Sequence, residues 1–168
     1  MGFNKDIQLE LKFDRILKAI LGNFFITKNL EMDVKQATDF LIYNINPFKV
    51  GVRLRRYEYF LKYPNDFTIR YSRPSGIDTE IHKIRQNLVD YILYGFVNEP
   101  ETKIIKYFIG DLKIFRDNEP KPIAIKTNKP PDSKLAVYNL EQFPKEFILK
   151  NWEKINDKNN QPAFEFYP

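Results

Sequence analysis

Cysteine is absent from the 168-residue chain. Disulfide scaffolds, zinc–cysteine sites, iron–sulfur clusters and cysteine nucleophiles are thereby excluded. His82 is the one histidine, so the chain cannot supply a two-histidine zinc site. Its neighbours Glu80 and Lys83 make it an exposed helical residue rather than a member of a serine triad. The six glycines are scattered, with no G-x-G-x-x-G and no G-x-x-x-x-G-K-[ST] phosphate loop. A G-x-S-x-G elbow is also missing. No apolar run approaches the roughly 18–20 residues that a membrane span needs, so no membrane partner is expected. The opening MGFNKDIQLELKFDR has early acids and no apolar stretch, so a secretory signal is not expected either. The expected location is cytoplasmic.

What remains is a charged, aromatic chain. It holds 15 Phe and 10 Tyr, with 43% hydrophobic residues, enough for one real core. We expect one α/β domain over 1–152 and a tail over 153–168. The 27 Lys and Arg outnumber the 22 Asp and Glu, giving a net charge of +5. All of that surplus falls in residues 49–73, where Lys49, Arg53, Arg55, Arg56, Lys62, Arg70 and Arg73 face only Glu58 and Asp66. A basic stretch in an otherwise balanced chain points to an acidic partner, nucleic acid first, or else to a solvated Lys/Arg-rich hairpin. Little glycine with much Lys, Asn, Tyr and Phe suits an AT-rich genome, as of a phage or mobile element.

Leu9, Phe13, Ile16, Leu17, Ile20 and Leu21 share the 3/4 spacing of an amphipathic helix over 6–21, ended by Gly22-Asn23. Glu10 lies at the edge of that apolar stripe. Ala37–Ile45 reads as a strand closed by Asn46-Pro47, and Phe48–Phe60 as the next one. There Val50, Val52 and Leu54 alternate with Gly51, Arg53 and Arg55, which places both arginines on one face. Phe67–Arg73 alternates in the same way. Asp78 or Thr79 caps a helix over 79–87. Val89–Val97 and Lys103–Ile109 form a hairpin, followed by Asp111–Arg116. Residues 117–133, with four prolines and several lysines, read as a long loop, often a functional or mobile feature. Lys134–Leu140 is a further strand and Phe147–Trp152 a docking segment. Short connections make the sheet mixed and largely antiparallel, a single sheet flanked by helices.

The residues best placed for chemistry are Asp39 and the Arg53-Leu54-Arg55 strand. A carboxylate in a buried strand needs a cation or hydrogen-bond partner. The next strand offers two arginines on one face, and Glu10 can approach the same place. Read from the residues alone, this is foremost a salt bridge tying two strands together. Tyr57, Tyr59, Tyr63 and Tyr71 interleave with the basic residues. They are either stacking surfaces for bases or the ordinary furniture of a half-buried pleat.

Over residues 6–116 this order of elements resembles the restriction-endonuclease-like PD-(D/E)xK nuclease superfamily, in particular its small phage-type members. The resemblance rests on the helix with Glu10, the strand with Thr38-Asp39, VGVRLRRYEYF, and the helix with Thr79-Glu80-Ile81-His82-Lys83. Glu10 matches the helix glutamate and Asp39 the first strand acid. Arg53-x-Arg55 stands where (D/E)-x-K belongs. An arginine cannot ligate a cation or act as a base, although it can stabilise phosphate charge. The resemblance therefore implies a displaced second acid, from Glu80 with Lys83 or from Glu58. It further implies Mg²⁺ or Mn²⁺ held by Glu10, Asp39 and Glu80, with Asp39, Arg53, Arg55, Glu80 and Lys83 as the catalytic group. Arg56, Arg70, Arg73 and Tyr57 would contact nucleic acid, DNA foremost. The expected activity is metal-dependent hydrolysis of DNA phosphodiesters. The alternatives are a non-catalytic nucleic-acid-binding protein on a degenerate nuclease fold, or a phage protein-interaction or inhibitor protein docking through the 117–133 loop and the tail.

Overall fold

The computed structural model describes residues 8–28, 40–42, 48–76, 79–128 and 133–153. A helical turn at 8–12 leads into α1 (Asp14–Phe25), with Phe13 N–H donating to Glu10 O and Leu17 N–H to Phe13 O. Leu9, Phe13, Leu17 and Ile20 are buried along one side, as their spacing requires. Gly22 does not end the helix, which runs on through Phe25. No chain stopper sits there: neither glycine nor asparagine forbids helix, and β1 (Ile26–Lys28) begins directly after it. Over its described part, β2 (Phe40–Ile42), the strand expected to carry Asp39 pairs antiparallel with β1. It was expected beside the arginine strand. Asp39 itself lies outside the described residues.

β3 (Val50–Arg55) runs parallel to β5 (Tyr91–Val97), which pairs antiparallel with β6 (Ile104–Asp111) and, through it, β9 (Ile148–Glu153). A second sheet has the order β4 (Asp66–Ser72), β8 (Lys134–Asn139), β7 (Ala124–Thr127), all antiparallel. The single sheet expected from short connections is thus divided. β4 carries Phe67 and Ile69 on one face, both with no exposed area. These stack on Tyr94, Phe96 and Phe108 rather than extending the first sheet edge to edge. Phe67 is the hub, in ring contact with Tyr94, Phe108, Tyr138, Phe143 and Phe147. Each such pair adds about 0.5–1.5 kcal/mol beyond area burial. The opposite face of the four-stranded sheet carries Leu54, Leu93, Val97 and Ile109 and is covered by the helical face of Leu9, Phe13, Leu17 and Ile20. The order of layers is therefore helix, sheet, sheet. β5, buried on both faces, reads as the nearly unbroken apolar run YILYGFV.

Three further segments differ from the sequence expectation. The strand predicted over Phe48–Phe60 stops at Arg55, and α2 (Tyr57–Lys62) follows. The alternation ends at the doubled Arg55-Arg56; Tyr57 and Phe60 then recur three apart, and their rings stack at 6.0 Å with Phe60 against Phe96 at 5.7 Å. Within the predicted 117–133 loop, β7 pairs with β8, closed by Asn128 N–H to Ser133 O. Ile123 and Ile125 are exposed, so β7 is a strand because β8 offers it a backbone edge, not because it fills a core. Asp111–Arg116 becomes α4 (Leu112–Asn118), capped by the Asp111 carboxylate on Lys113 N–H at 2.7 Å. The docking segment is β9. α3 (Glu80–Arg85) lies where a helix over 79–87 was expected. Among the described residues no helix is long and apolar enough to cross a membrane.

Candidate functional site

Alternation along β3 puts Val50, Val52 and Leu54 toward the helix layer and Arg53 and Arg55 on the other face. Arg53 and Glu80, two members of the expected catalytic group, do meet there. Arg53 Nη2 donates to Glu80 Oε1 in an ion pair, and Arg53 Nη1 reaches Thr68 Oγ1 at 3.5 Å. The Thr68 hydroxyl lies 3.3 Å from the Tyr94 hydroxyl, so a polar chain runs from the edge of β3 to the centre of the core. Glu80 Oε2 accepts from the backbone N–H of Arg70 at 3.0 Å. That bond holds α3 to the free edge of β4. Thr79, at the start of α3, adds a second tie. Its hydroxyl donates to Tyr71 O at 3.0 Å rather than capping the helix.

Both Glu80 oxygens therefore have protein donors. A carboxylate engaged by a guanidinium and a backbone amide is a poor fit to a divalent cation, which would have to displace Arg53. Glu10 belongs to the helical layer on the Leu54 face of β3, whereas Glu80 meets Arg53 on the other. Lys83 is exposed on α3, three residues past Glu80, and Glu58 is exposed on α2. Among the described residues no three His, Cys, Asp or Glu side chains converge as a metal-ligand group. The expected Mg²⁺ or Mn²⁺ set is thus not brought together by its described members. Asp39, its remaining member, is not among them.

The basic stretch is partly spent inside the fold. Arg56 Nε pairs with Glu101 Oε1 at 2.9 Å. Glu101 is held in the β5–β6 turn, where Asn98 Oδ1 accepts from the Thr102 and Lys103 amides, each at 2.8 Å. Arg70 is buried in β4, and Arg73 follows it half-buried, its backbone carbonyl accepting from Gly76 N–H at 3.2 Å. Tyr57, expected as a nucleic-acid contact, is half-buried on α2 and stacks on Phe60. Arg55 behaves differently: its guanidinium lies over the Tyr59 ring, 3.9 Å from the centroid. Lys126, from β7, sits 4.8 Å over the Tyr63 ring. Tyr59 and Tyr63 are both exposed, and Lys62 and Lys126 are exposed with them. Lys126 was missed by sequence reasoning. The alternation in Ile123-Ala124-Ile125-Lys126-Thr127 was its only signal, and the flanking prolines obscured it. His82 is exposed on α3, as expected.

No family model, curated protein or solved structure matches the chain.

Proposed function

We propose that the chain binds nucleic acid through the surface formed by α2, the end of β3 and β7. The observation that carries this reading is the pairing of exposed tyrosines with cations: Arg55 over Tyr59 and Lys126 over Tyr63, with Lys62 beside them. A polynucleotide offers both complements, phosphates for the cations and bases for the rings. The internal pairs Arg53–Glu80 and Arg56–Glu101 cancel charge locally, whereas Arg55, Lys62 and Lys126 stand at the exposed rings. Three phosphate contacts correspond to a log–log salt slope of about −2 on single strands and about −3 on duplex. Fluorescence anisotropy of labelled oligonucleotides across a salt series tests the reading. Binding that weakens with salt at about these slopes is expected. No binding, or binding indifferent to salt, would overturn it.

A second reading is metal-dependent cleavage of DNA. The observation in its favour is that Arg53 and Glu80 share one place. On this reading Asp39 holds Mg²⁺ or Mn²⁺, and Arg53 or Arg55 neutralises the phosphate. Incubation of plasmid and single-stranded DNA with each metal, wild type beside Asp39→Asn, decides it. Cutting that the variant loses supports catalysis; equal rates, or none in either, dismiss it.

A further inference from the structure

We infer that the α2 surface takes unpaired nucleotides in preference to duplex. This rests on the nucleic-acid-binding reading above and specifies its ligand. Tyr63 N–H donates to Tyr59 O at 2.8 Å, which closes the C-terminus of α2 with Tyr63 as its capping residue. Both tyrosine side chains are exposed at this end of the helix. Phe60 packs on Tyr57 and on Phe96, which holds α2 in place before any ligand arrives.

The exposed ring faces select the ligand. Bases within a duplex strand stack on each other at about 3.4 Å and leave no gap for a side-chain ring. A base can rest on either ring only after it has unstacked from its neighbour and left its complement. A single strand is already in that condition, while a duplex must first be opened. Each ring has its cation at hand. Arg55 at 3.9 Å and Lys126 at 4.8 Å lie close enough for the phosphate joined to a stacked base to meet a positive charge. Tyr59 is 37% and Tyr63 42% exposed, so each ring keeps area for a base besides its cation. The ring provides a face rather than a hydrogen-bond pattern, so recognition is tolerant of sequence. The common chemistry is an unpaired polynucleotide, whether DNA or RNA.

The test uses the full chain with labelled oligothymidine, labelled oligouridine and a labelled hairpin duplex. Wild type is expected to bind the single strands more tightly than the duplex, and the tighter of the two single strands identifies the sugar. Tyr59→Ala and Tyr63→Ala should each weaken single-strand binding by roughly 5- to 150-fold. They should leave duplex binding and the salt slope unchanged. Tyr59→Phe and Tyr63→Phe should restore most of the affinity, since the ring and not the hydroxyl is used. Lys126→Ala should instead flatten the single-strand salt slope by about 0.7. Circular dichroism confirms that the variants are folded. Alanine variants that bind single strands like wild type, or that lose single strand and duplex equally, overturn this inference and leave nucleic-acid binding standing. A wild type that binds none of the three probes overturns both.

Discussion

Replacing Glu80 with alanine should destabilise the protein by about 2–3 kcal/mol, and the reasons can be taken one at a time. The variant loses an acceptor for the Arg70 backbone N–H, in a residue only 7% exposed. A buried donor left without a partner costs about 1–3 kcal/mol. The variant also strands the Arg53 guanidinium, whose side chain is 12% exposed beside a glutamate that is 41% exposed. A fully buried pair broken from one side costs about 3–5 kcal/mol. Here water reaches the glutamate side, so the charge contribution falls toward the roughly 1 kcal/mol of a surface pair. At this chain length the total corresponds to a fall in Tm of about 5–10 °C. Urea unfolding followed by the fluorescence of Trp152, the single tryptophan, reads it. Glu80→Gln keeps an oxygen for the amide and loses only the charge, so it should cost about 1 kcal/mol. Replacing Arg53 and Glu80 together with apolar residues of similar size should recover only the ion-pair share, about 1 kcal/mol, because no charge is left alone while the Arg70 N–H still lacks its acceptor. A loss below about 0.5 kcal/mol for Glu80→Ala, equal to that of Glu80→Gln, would refute the reasoning. Neither the amide bond nor the ion pair would then hold α3 to β4.

Two more predictions concern the core. Gly110→Ala should cost about 1–3 kcal/mol, because its Cβ would stand 2.8 Å from Phe147 Cζ and 3.2 Å from Ile92 Cγ2. Phe147 is fully buried and stacked on Phe143 at 4.3 Å, so it cannot yield; a thermal melt matching wild type would show that it does. Burial, aided by Tyr71 and opposed by Arg85, raises the Tyr138 phenol above its ordinary 10.0. The unfolded chain therefore ionises first as pH climbs. The stability is complete below pH 10 and is lost as pH rises through that value toward the folded one. Tyr138→Phe should lose less stability than wild type between neutral and strongly alkaline pH in urea titrations. Parallel losses in both proteins would count against this.

The amphipathic stripe of Leu9, Phe13, Leu17 and Ile20, the two-sided face of β3 and the apolar run of β5 were all legible in the sequence. Each follows from local periodicity, which the chain carries wherever it folds. The same periodicity placed Arg53 and Arg55 together on one face and away from Leu54. Its reach ends at the residue neighbourhood. Which carboxylate would meet Arg53 was not contained in any spacing. Glu80 lies 27 residues further on, and it arrives because α3 packs against the edge of β4. The division into two sheets depended on Phe67 gathering rings from four other segments, a long-range preference that no short window contains. β7 is a strand only by virtue of β8 beside it, and that pairing alone brings Lys126 to Tyr63. The sequence by itself determined the stripes, the alternation and the charge surplus. The tertiary structure decided which of those charges were neutralised within the fold and which met a tyrosine at the surface. Ion pairs and ring contacts join residues distant in the chain, and only packing brings them within reach.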